Sequence, residues 1–410
     1  KDFALITDPW IEGRVFNDAW AHMVPSSFTY EDFKDITHIW FSHEHPDHFF
    51  PPNISKIPAE AKQQITILFQ ETQDKKVVNF CKKQGFKAVI ELPEMQWVTI
   101  TPDIQVILGK EDNHIDSYLT IKTPELTFVN LNDCVITRSE LEELRQQIGE
   151  VDVLFTQFSY ANWIGNKADK ESHKRHANEK LAEIKLQLEL LQPRYVIPFA
   201  SYVWFCHEDN FYMNEGVNRI SSIYEYISSL NIAKPVVLYP DDTWAYNTAI
   251  DSKIAIERYE QAFEAIIQAP QLTSPSSIPL EDLKAVSEDF KEKSLKLNNP
   301  GKLKSLPACV FYVTDYDYAL SFSFSEGLQR QAHAYEQCDV ALSSQALWYC
   351  LKFLWGWDTL LVAGIFQKPP QGNFQHYMEY EWVAKLNNNG LRMGGILERL
   401  GQKIKDYFNK

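Results

Sequence analysis

Short apolar runs rich in β-branched and aromatic residues alternate with segments of helical periodicity along the first half of the chain. Runs typical of strands cover residues 1–10, 37–42, 65–69, 86–92, 97–107, 118–122, 126–131, 151–155 and 195–198. Helical patterns cover residues 75–85, 139–148 and 178–191, and the second of these opens with a capping-box pair, Ser139 and Glu142. This alternation predicts a layered α/β structure.

The second half of the chain has a different pattern. Residues 160–176 are polar and loop-like, and residues 265–306 are rich in Pro, Ser and Lys, which predicts a linker with one or two surface helices. From residue 308 onward, aromatic strands and a long apolar segment predict a second, smaller unit. Within that segment, residues 346–366 are interrupted by Lys352, Gly356 and Asp358, so we expect a buried helix, a turn at Gly356 and a buried strand rather than a membrane span.

Composition and charge exclude some classes of partner. The chain has 410 residues with 40 Lys and Arg against 55 Asp and Glu, a net charge of −15, and no basic block. A nucleic-acid backbone is therefore not an expected partner. The 6 cysteines form no C-x-x-C pair and predict free thiols in a reducing, cytoplasmic compartment. No signal peptide is visible, and because the chain opens at Lys1 in a strand-like run, we expect that a preceding segment is missing.

The strongest chemical signal is the segment His43-Glu44-His45-Pro46-Asp47-His48, which follows the strand predicted at 37–42. Alternate residues of an extended segment point the same way, so His43 and His45 can reach one point while Asp47 and His48 turn toward a second. Imidazole and carboxylate are the groups that bind Zn, Fe or Mn. The segment predicts a site for one or two metal ions, and the alternative is a solvated polar loop.

This His-x-His-x-Asp-His pattern after a strand resembles the signature of the metallo-β-lactamase superfamily. The resemblance implies a metallo-β-lactamase-like αββα sandwich, here followed by a smaller C-terminal α+β domain that more weakly resembles sterol-carrier-like domains. We expect a metal-binding catalytic domain at 1–262, a helical linker at 263–307 and the C-terminal domain at 308–410. The superfamily includes hydrolases, oxidoreductases and oxygenases, so the signature predicts a site and not a reaction.

The same resemblance proposes further site residues by their order in the chain. His114, in a polar loop before a strand, matches the third ligand position, with Asp116 as the rival. Asp133 ends an apolar strand and matches a bridging carboxylate, the alternative being a turn-forming Asp before a helix. His207 matches the last ligand position, with Glu208 as the fallback.

One further residue is placed beneath the site by the resemblance. Asp8 follows the first strand, where the fold carries an aspartate that hydrogen-bonds a ligand histidine. The alternative is a turn-forming Asp before Pro9.

Several motifs together resemble the metallo-β-lactamase-like part of CMP-N-acetylneuraminate hydroxylase, over nearly the whole chain. They are the segments 6–11, 41–48, 130–134, 191–194, 198–202, 354–358 and 364–366. That family also has a His a few residues after its Pro-Phe-Ala stretch, which supports His207. The family carries a Rieske iron–sulfur domain, recognised by Cys-x-His and Cys-x-x-His pairs, and this sequence has no such pair.

The resemblance implies a dinuclear non-haem iron oxygenase, a monooxygenase-like oxidoreductase acting on a small polar or carrier-bound substrate. One ion would be held by His43, His45 and His114, and the other by Asp47, His48 and His207, with Asp133 bridging; Asp133 and His207 are the expected catalytic residues. Iron is favoured, zinc and manganese are alternatives, and an external ferredoxin or reductase would supply electrons. The alternative functions are a zinc-dependent hydrolase of an ester, lactone or phosphodiester, and a non-catalytic metal-binding protein.

Overall fold

The computed structural model describes residues 3–111 and 116–393. Its strands, β1 to β17 in chain order, are Leu5–Thr7, Trp20–His22, His38–Phe41, Thr66–Gln70, Ala88–Leu92, Trp97–Thr101, Ile104–Lys110, Ser117–Lys122, Thr127–Asn130, Val153–Gln157, Tyr195–Phe199, Val203–Phe205, Lys234–Pro235, Cys309–Val313, Tyr318–Ser323, Gly327–Gln331 and Val340–Leu342. Its α-helices, α1 to α12, are Pro51–Lys56, Ala59–Lys62, Lys76–Gln84, Arg138–Ile148, Lys170–Leu191, Ile220–Leu230, Ser252–Gln268, Leu280–Leu297, Pro300–Lys304, Ser344–Lys352, Gly356–Ala363 and Phe374–Asn388. Short 3-10 helices cover Tyr30–Asp35, Phe211–Gly216 and Tyr335–Gln337.

Two sheets packed face to face form the centre of the first part of the chain. The smaller sheet has the order β1-β3-β4-β5 with all strands parallel, and the larger has the order β13-β11-β10-β9-β8-β7-β6. Trp40 and Leu68 of the smaller sheet share a buried apolar cluster with Leu108 and Leu119 of the larger one. Burial of these side chains between the sheets supplies the favourable free energy that holds the two layers together.

Helices cover the outer face of each sheet. Val78 and Cys81 of α3 are buried with the residues of the smaller sheet. Leu144 of α4, Leu188 of α5 and Ile223 of α6 are buried with the residues of the larger sheet. The layers are therefore helix, sheet, sheet, helix, and the predicted αββα sandwich is confirmed.

A second unit follows the sandwich and shares a core with it. Its sheet has the order β16-β15-β14-β17, and α8, α10, α11 and α12 pack around that sheet. Phe16, from the loop after β1, and Trp20, the first residue of β2, lie in the same buried cluster as Phe311 and Trp357 of the second unit. The second unit is thus continuous with the sandwich through apolar contacts, as its apolar composition predicts. Its likeness to sterol-carrier-like domains and the three domain boundaries stay predictions.

Two predicted strands are wrong. The run 97–107 is a hairpin of β6 and β7, because Pro102 and Asp103 form a turn between them. The strand predicted after Gly356 is helix α11, whose Trp357, Leu360 and Ala363 are buried at helical spacing. A short, fully apolar run does not distinguish a buried strand from a buried helix, and here packing against the C-terminal core decides.

The helix boundaries also differ from the prediction. Helix α5 begins at Lys170 rather than at residue 178, because the Asp169 side chain accepts a hydrogen bond from the Ser172 amide and caps the helix. The capping box of α4 is formed by Thr137 and Glu140 rather than by Ser139 and Glu142. In the region predicted as a linker, α8 buries one face in the C-terminal core.

Two expectations about the chain as a whole can be compared with the structure. All 6 cysteines are free and buried, so the prediction of free thiols is confirmed. Among the described residues, every helix is either too short or too polar to cross a membrane.

Candidate metal centre

Apart from His207, the predicted metal ligands that the structure describes converge at one edge of the sandwich. Strand β3 ends at Phe41 and leads directly into Ser42 and His43, and β9 ends at Asn130, shortly before Asp133. Strand β8 runs antiparallel to β9 and begins immediately after Asp116, so its first residues lie at the same edge. The edge formed by strand ends is where α/β sheets place their ligand sites.

One group of possible metal ligands consists of His43, His45 and Asp116, whose donor atoms all lie within 4.8 Å of one another. His43 Nε2 is 2.9 Å from His45 Nδ1 and 3.4 Å from Asp116 Oδ1. Asp116, the rival ligand in the sequence analysis, is thus part of the group. His114 lies outside the described residues.

A second group consists of His43, His48 and Asp133. His48 Nε2 lies 3.4 Å from Asp133 Oδ2 and 3.2 Å from Asp47 Oδ2. Asp133 Oδ2 is also 3.9 Å from Nε2 of His43, the histidine that the two groups share. Its role as a bridging ligand stays a prediction.

The geometry and the unsatisfied polar atoms fit cations. Ligand atoms about 2.1 Å from a tetrahedral ion are about 3.4 Å from each other, which matches the N–O separations given above. Oδ1 of Asp47 and Oδ1 of Asp133 are buried and have no hydrogen-bond partner among the described residues. Buried oxygens of this kind are costly unless a partner satisfies them, and a bound cation would do so.

Opposing effects set the protonation of the second group. Burial lowers the pKa of His48, but the charges of Asp47, Asp133 and Asp8 outweigh it and raise that pKa well above its ordinary value. Burial raises the pKa of Asp133, but the nearby His48 and His43 lower it further than burial raises it. Both shifts favour the charged forms, so His48 and Asp133 form a buried ion pair, and a cation that binds His48 Nε2 would replace its proton.

Asp8 orients His48 from beneath the cluster. Its Oδ2 lies 3.0 Å from His48 Nδ1 and accepts hydrogen bonds from Ser42 Oγ at 2.8 Å and Asn132 Nδ2 at 2.8 Å. Its Oδ1 accepts a further bond from the Ser42 amide at 2.7 Å. Because Asp8 accepts from the Nδ1 side, Nε2 of His48 is left facing the cluster. The predicted hydrogen bond between Asp8 and a histidine of the 43–48 segment is present, and the role of that histidine as a metal ligand stays a prediction.

His45 is held by a residue of the second unit. Its Nε2 lies 2.9 Å from Oδ2 of Asp358, at the start of α11. Burial lowers the pKa of His45, but the hydrogen bond and charge of Asp358 outweigh it and raise the pKa to about 9. The sequence analysis treated Asp358 only as an interruption of an apolar run. A charged side chain in such a run needs a buried partner, and this was the signal that could have identified it.

Glu111 is another site residue that the sequence analysis did not single out. Burial, followed by the charge of Asp116, raises the pKa of Glu111 to about 8, and its carboxyl is hydrogen-bonded to Asp116. Burial and the like charge of Asp116 therefore both favour the neutral form of the Glu111 carboxyl.

His207 is not brought together with the other predicted ligands. Strand β12 pairs with β2 in a separate two-stranded sheet, and His207 follows it with a backbone bridge to Thr273. Its Nδ1 accepts a hydrogen bond from the Asp209 amide at 3.1 Å. Within the described part of the chain it belongs to neither group of possible ligands, because its backbone is held at this separate edge.

Comparisons with known proteins give distant matches. No family model matches the chain. A curated relative from Mycolicibacterium smegmatis, named as a Rieske 2Fe-2S iron–sulfur protein, is 22% identical over 182 residues. That match covers 42% of this chain and only 34% of the relative.

Solved structures also show similarity. CmlA from Streptomyces venezuelae, described as a diiron β-hydroxylase, is 14% identical over 57% of this chain and 49% of its own, with a TM-score of 0.39. The metallo-β-lactamase fold protein YhfI from Bacillus subtilis is 13% identical over 52% of this chain and 78% of its own, with a TM-score of 0.34. The short form of human tRNase Z is 16% identical over 42% of this chain and 74% of its own, with a TM-score of 0.31.

The layer order of the chain and its cluster define the class of protein. The αββα sandwich, with a His-x-His-x-Asp-His segment at the end of β3, is a metallo-β-lactamase-like fold. The His and Asp groups at its strand ends are arranged as a candidate dinuclear metal centre.

Proposed function

We propose that this chain is a dinuclear non-haem iron oxygenase that hydroxylates, or otherwise oxidises, a small polar or carrier-bound substrate. The observation that carries the proposal is the pair of overlapping His and Asp groups that share His43 at one edge of the sandwich. The collinear motifs that resemble CMP-N-acetylneuraminate hydroxylase favour redox chemistry over hydrolysis. Two iron ions would supply the capacity to activate O2.

The residues divide into two ligand sets. His43, His45 and Asp116 would hold one ion, and Asp47 and His48 the other, with Asp133 between them. His114 stays a predicted further ligand of the first ion. His207 is left out of the ligand set because, among the described residues, it belongs to neither group of possible ligands.

The remaining residues position ligands and hold protons. Asp8 fixes the ring of His48, and Ser42 and Asn132 fix the carboxylate of Asp8. Glu111 lies beside Asp116 at the edge of the cluster, and burial together with the charge of Asp116 favours the protonated form of its carboxyl. Electrons would come from an external donor such as a ferredoxin or reductase, and the match to a Rieske iron–sulfur protein supports a partner of that kind.

A zinc-dependent hydrolase of an ester, lactone or phosphodiester is the second candidate. The composition of the two groups suits a zinc enzyme equally well, because histidine and carboxylate side chains bind zinc as well as iron. In that case the same residues would hold two zinc ions, which would lower the pKa of a water molecule toward neutrality.

Metal identity and O2 reactivity separate the two candidates. Protein from iron-supplemented cells would be analysed for metals, reduced without air, and mixed rapidly with O2 while visible absorption and O2 consumption are recorded. The oxygenase is expected to contain two irons per chain, to consume O2 and to change its visible absorption. A protein that holds only zinc, which has no visible d–d bands, and that hydrolyses a generic lactone or phosphodiester would overturn the oxygenase proposal.

A further inference from the structure

The two ring nitrogens of His45 face different parts of the molecule. Nδ1 lies 2.9 Å from His43 Nε2, inside the cluster, and Nε2 lies 2.9 Å from Asp358 Oδ2, in the second unit. A neutral imidazole has one nitrogen that donates and one that accepts. An ionised carboxylate only accepts, so contact with Asp358 keeps a proton on Nε2. While no cation is bound, the raised pKa of His45 means that Nδ1 is protonated as well. A cation bound at Nδ1 would replace that proton, and the Nε2–H group would still donate to Asp358.

Asp358 is held in place by the core of the second unit. It lies in the first turn of α11, next to Trp357, which is fully buried. The hydroxyl of Tyr377 on α12 donates a hydrogen bond to the Trp357 carbonyl. Gly356 opens the helix against α10, where a Cβ would collide with the Tyr349 carbonyl. The start of α11, and with it the Asp358 carboxylate, therefore has little freedom to move.

The surroundings of Asp358 fit a carboxylate that is directed at His45. Its side chain is only 24% exposed, and that of His45 is 18% exposed. Lys385 Nζ, on α12, lies 4.0 Å from the other oxygen, Oδ1. Phe16 packs edge-on against the His45 ring with centroids 5.9 Å apart. The ring is thus fixed by an apolar contact on its side and by a carboxylate at its end.

We infer that Asp358 is a positioning residue for the metal centre, through which the C-terminal unit sets the tautomer and orientation of the ligand His45. The inference rests on the proposed metal-binding function and goes beyond it, because it makes the affinity for one of the two ions a property of the second unit. Partners of this kind on ligand histidines contribute roughly 10–100-fold to metal affinity.

The test measures metal binding rather than turnover. Metal-free wild-type protein and the Asp358→Ala and Asp358→Asn variants would be titrated with Co²⁺, followed by its visible spectrum and by competition with a chelator. We expect Asp358→Ala to lower the affinity for one of the two ions roughly 10–100-fold and to leave the affinity for the other unchanged. Asp358→Asn should have a smaller effect, because its amide oxygen can still accept from Nε2.

A matched control removes a carboxylate elsewhere in the second unit. Asp289, on α8, is 53% exposed and pairs with Lys293, and Asp289→Asn has the same charge change without contact to His45. It should bind both ions as the wild type does. Equal affinities for both ions in wild type and Asp358→Ala would overturn the inference while leaving the proposed function intact. A wild type that binds no Co²⁺, Zn²⁺ or Fe²⁺ would overturn both.

A second measurement needs no variant and so does not depend on one folding. Nitrogen-15 NMR of the zinc-loaded wild type reports which ring nitrogen of His45 carries the proton, with His45 assigned by selective labelling. A proton on Nε2 supports the inference. A proton on Nδ1 would overturn it, because Nδ1 would then be unable to bind a cation.

Discussion

The two halves of the candidate metal centre are held in different ways. We call the first the His48 half, formed by Asp47, His48 and Asp133, and the second the His45 half, formed by His45 and Asp116. His48 is oriented by Asp8, 40 residues away in the sequence, from the strand next to β3. His45 is oriented by Asp358, 313 residues away, from the second unit.

The difference shows which part of the centre belongs to the sandwich alone. The outer hydrogen bonds of the His48 half come from strand ends of both sheets of the sandwich, so its geometry follows once the two sheets have packed together. The His45 half depends in addition on the packing of α11 against the sandwich, through the core shared by both units. The second unit therefore affects one side of the centre more than the other.

The largest effect is expected from the residue that the halves share. His43 is in both groups of possible ligands, so His43→Ala should lose most of both bound ions while the protein stays folded. Elemental analysis after desalting, with circular dichroism for the fold, measures this. His333→Ala, at an exposed histidine, is the control and should retain full metal content. Retention of one tightly bound ion by His43→Ala would mean that the halves are independent.

The next test concerns the boundary between the halves. Oδ2 of Asp133 lies 3.4 Å from His48 Nε2 and 3.9 Å from His43 Nε2. Asp133→Asn should therefore bind only one ion per chain, or bind two ions that are no longer magnetically coupled. Electron paramagnetic resonance of iron- or cobalt-loaded protein detects the coupling. Asp103→Asn, in the exposed turn between β6 and β7, is the control. Two coupled ions in Asp133→Asn would show that another residue bridges.

A smaller effect, confined to the His48 half, is expected from Asp8. Asp8→Asn keeps the positive φ of 44° at this position, which Asn tolerates. Both oxygens of Asp8 accept hydrogen bonds, and an Asn side chain offers only one accepting oxygen, so the variant loses contacts to Ser42, Asn132 or His48. We expect one ion to bind roughly 10–100-fold more weakly and the other normally, measured by chelator competition. The ion affected should differ from the one affected by Asp358→Ala. If Asp8→Asn and Asp358→Ala both lower the affinity for the same ion, the division of the centre into halves is wrong.

The smallest effect concerns the stability of the second unit near Asp358. Burial, followed by the charge of Asp358, raises the pKa of Glu381 to about 7. Between its unfolded value of 4.5 and about 7, the folded protein holds a proton that the unfolded chain has released, so stability falls as pH rises through this window. The loss is at most about 3 kcal/mol.

Urea unfolding at several pH values measures this effect. In Glu381→Gln, the free energy of unfolding should depend less on pH between pH 4.5 and about 7. At pH 8 this variant should be more stable than the wild type. Glu379→Gln, on the same helix, is the control and should keep the wild-type slope. Identical slopes for wild type and Glu381→Gln would show that Glu381 is ionised in the folded protein.

Local patterns in the sequence predicted a layered α/β structure and a group of possible ligands in the 43–48 segment, whereas the αββα sandwich and the place of Asp133 were implied by the family resemblance. Short-range geometry predicts the strand before His43, the end of that strand before the prolines that follow Phe50, and the alternating directions of the side chains between them. Each of these features involves residues that are close together in the chain. The place of Asp8 beneath the site came from the family resemblance, and the parallel pairing of β1 with β3 explains it. Asp116 could be proposed only as a rival, because the order of residues does not say which of two neighbours turns inward.

Tertiary structure decided what depends on packing between distant segments. Helix α11 forms where an apolar run also suited a strand, because its buried face fits the C-terminal core. His207 lies apart from the ligand groups because β12 pairs with β2, a contact that no local pattern reveals. Asp358 meets His45 only because the second unit packs on the sandwich. Sequence patterns report periodicity and local chemistry, whereas a contact across 313 residues depends on how complete surfaces fit together.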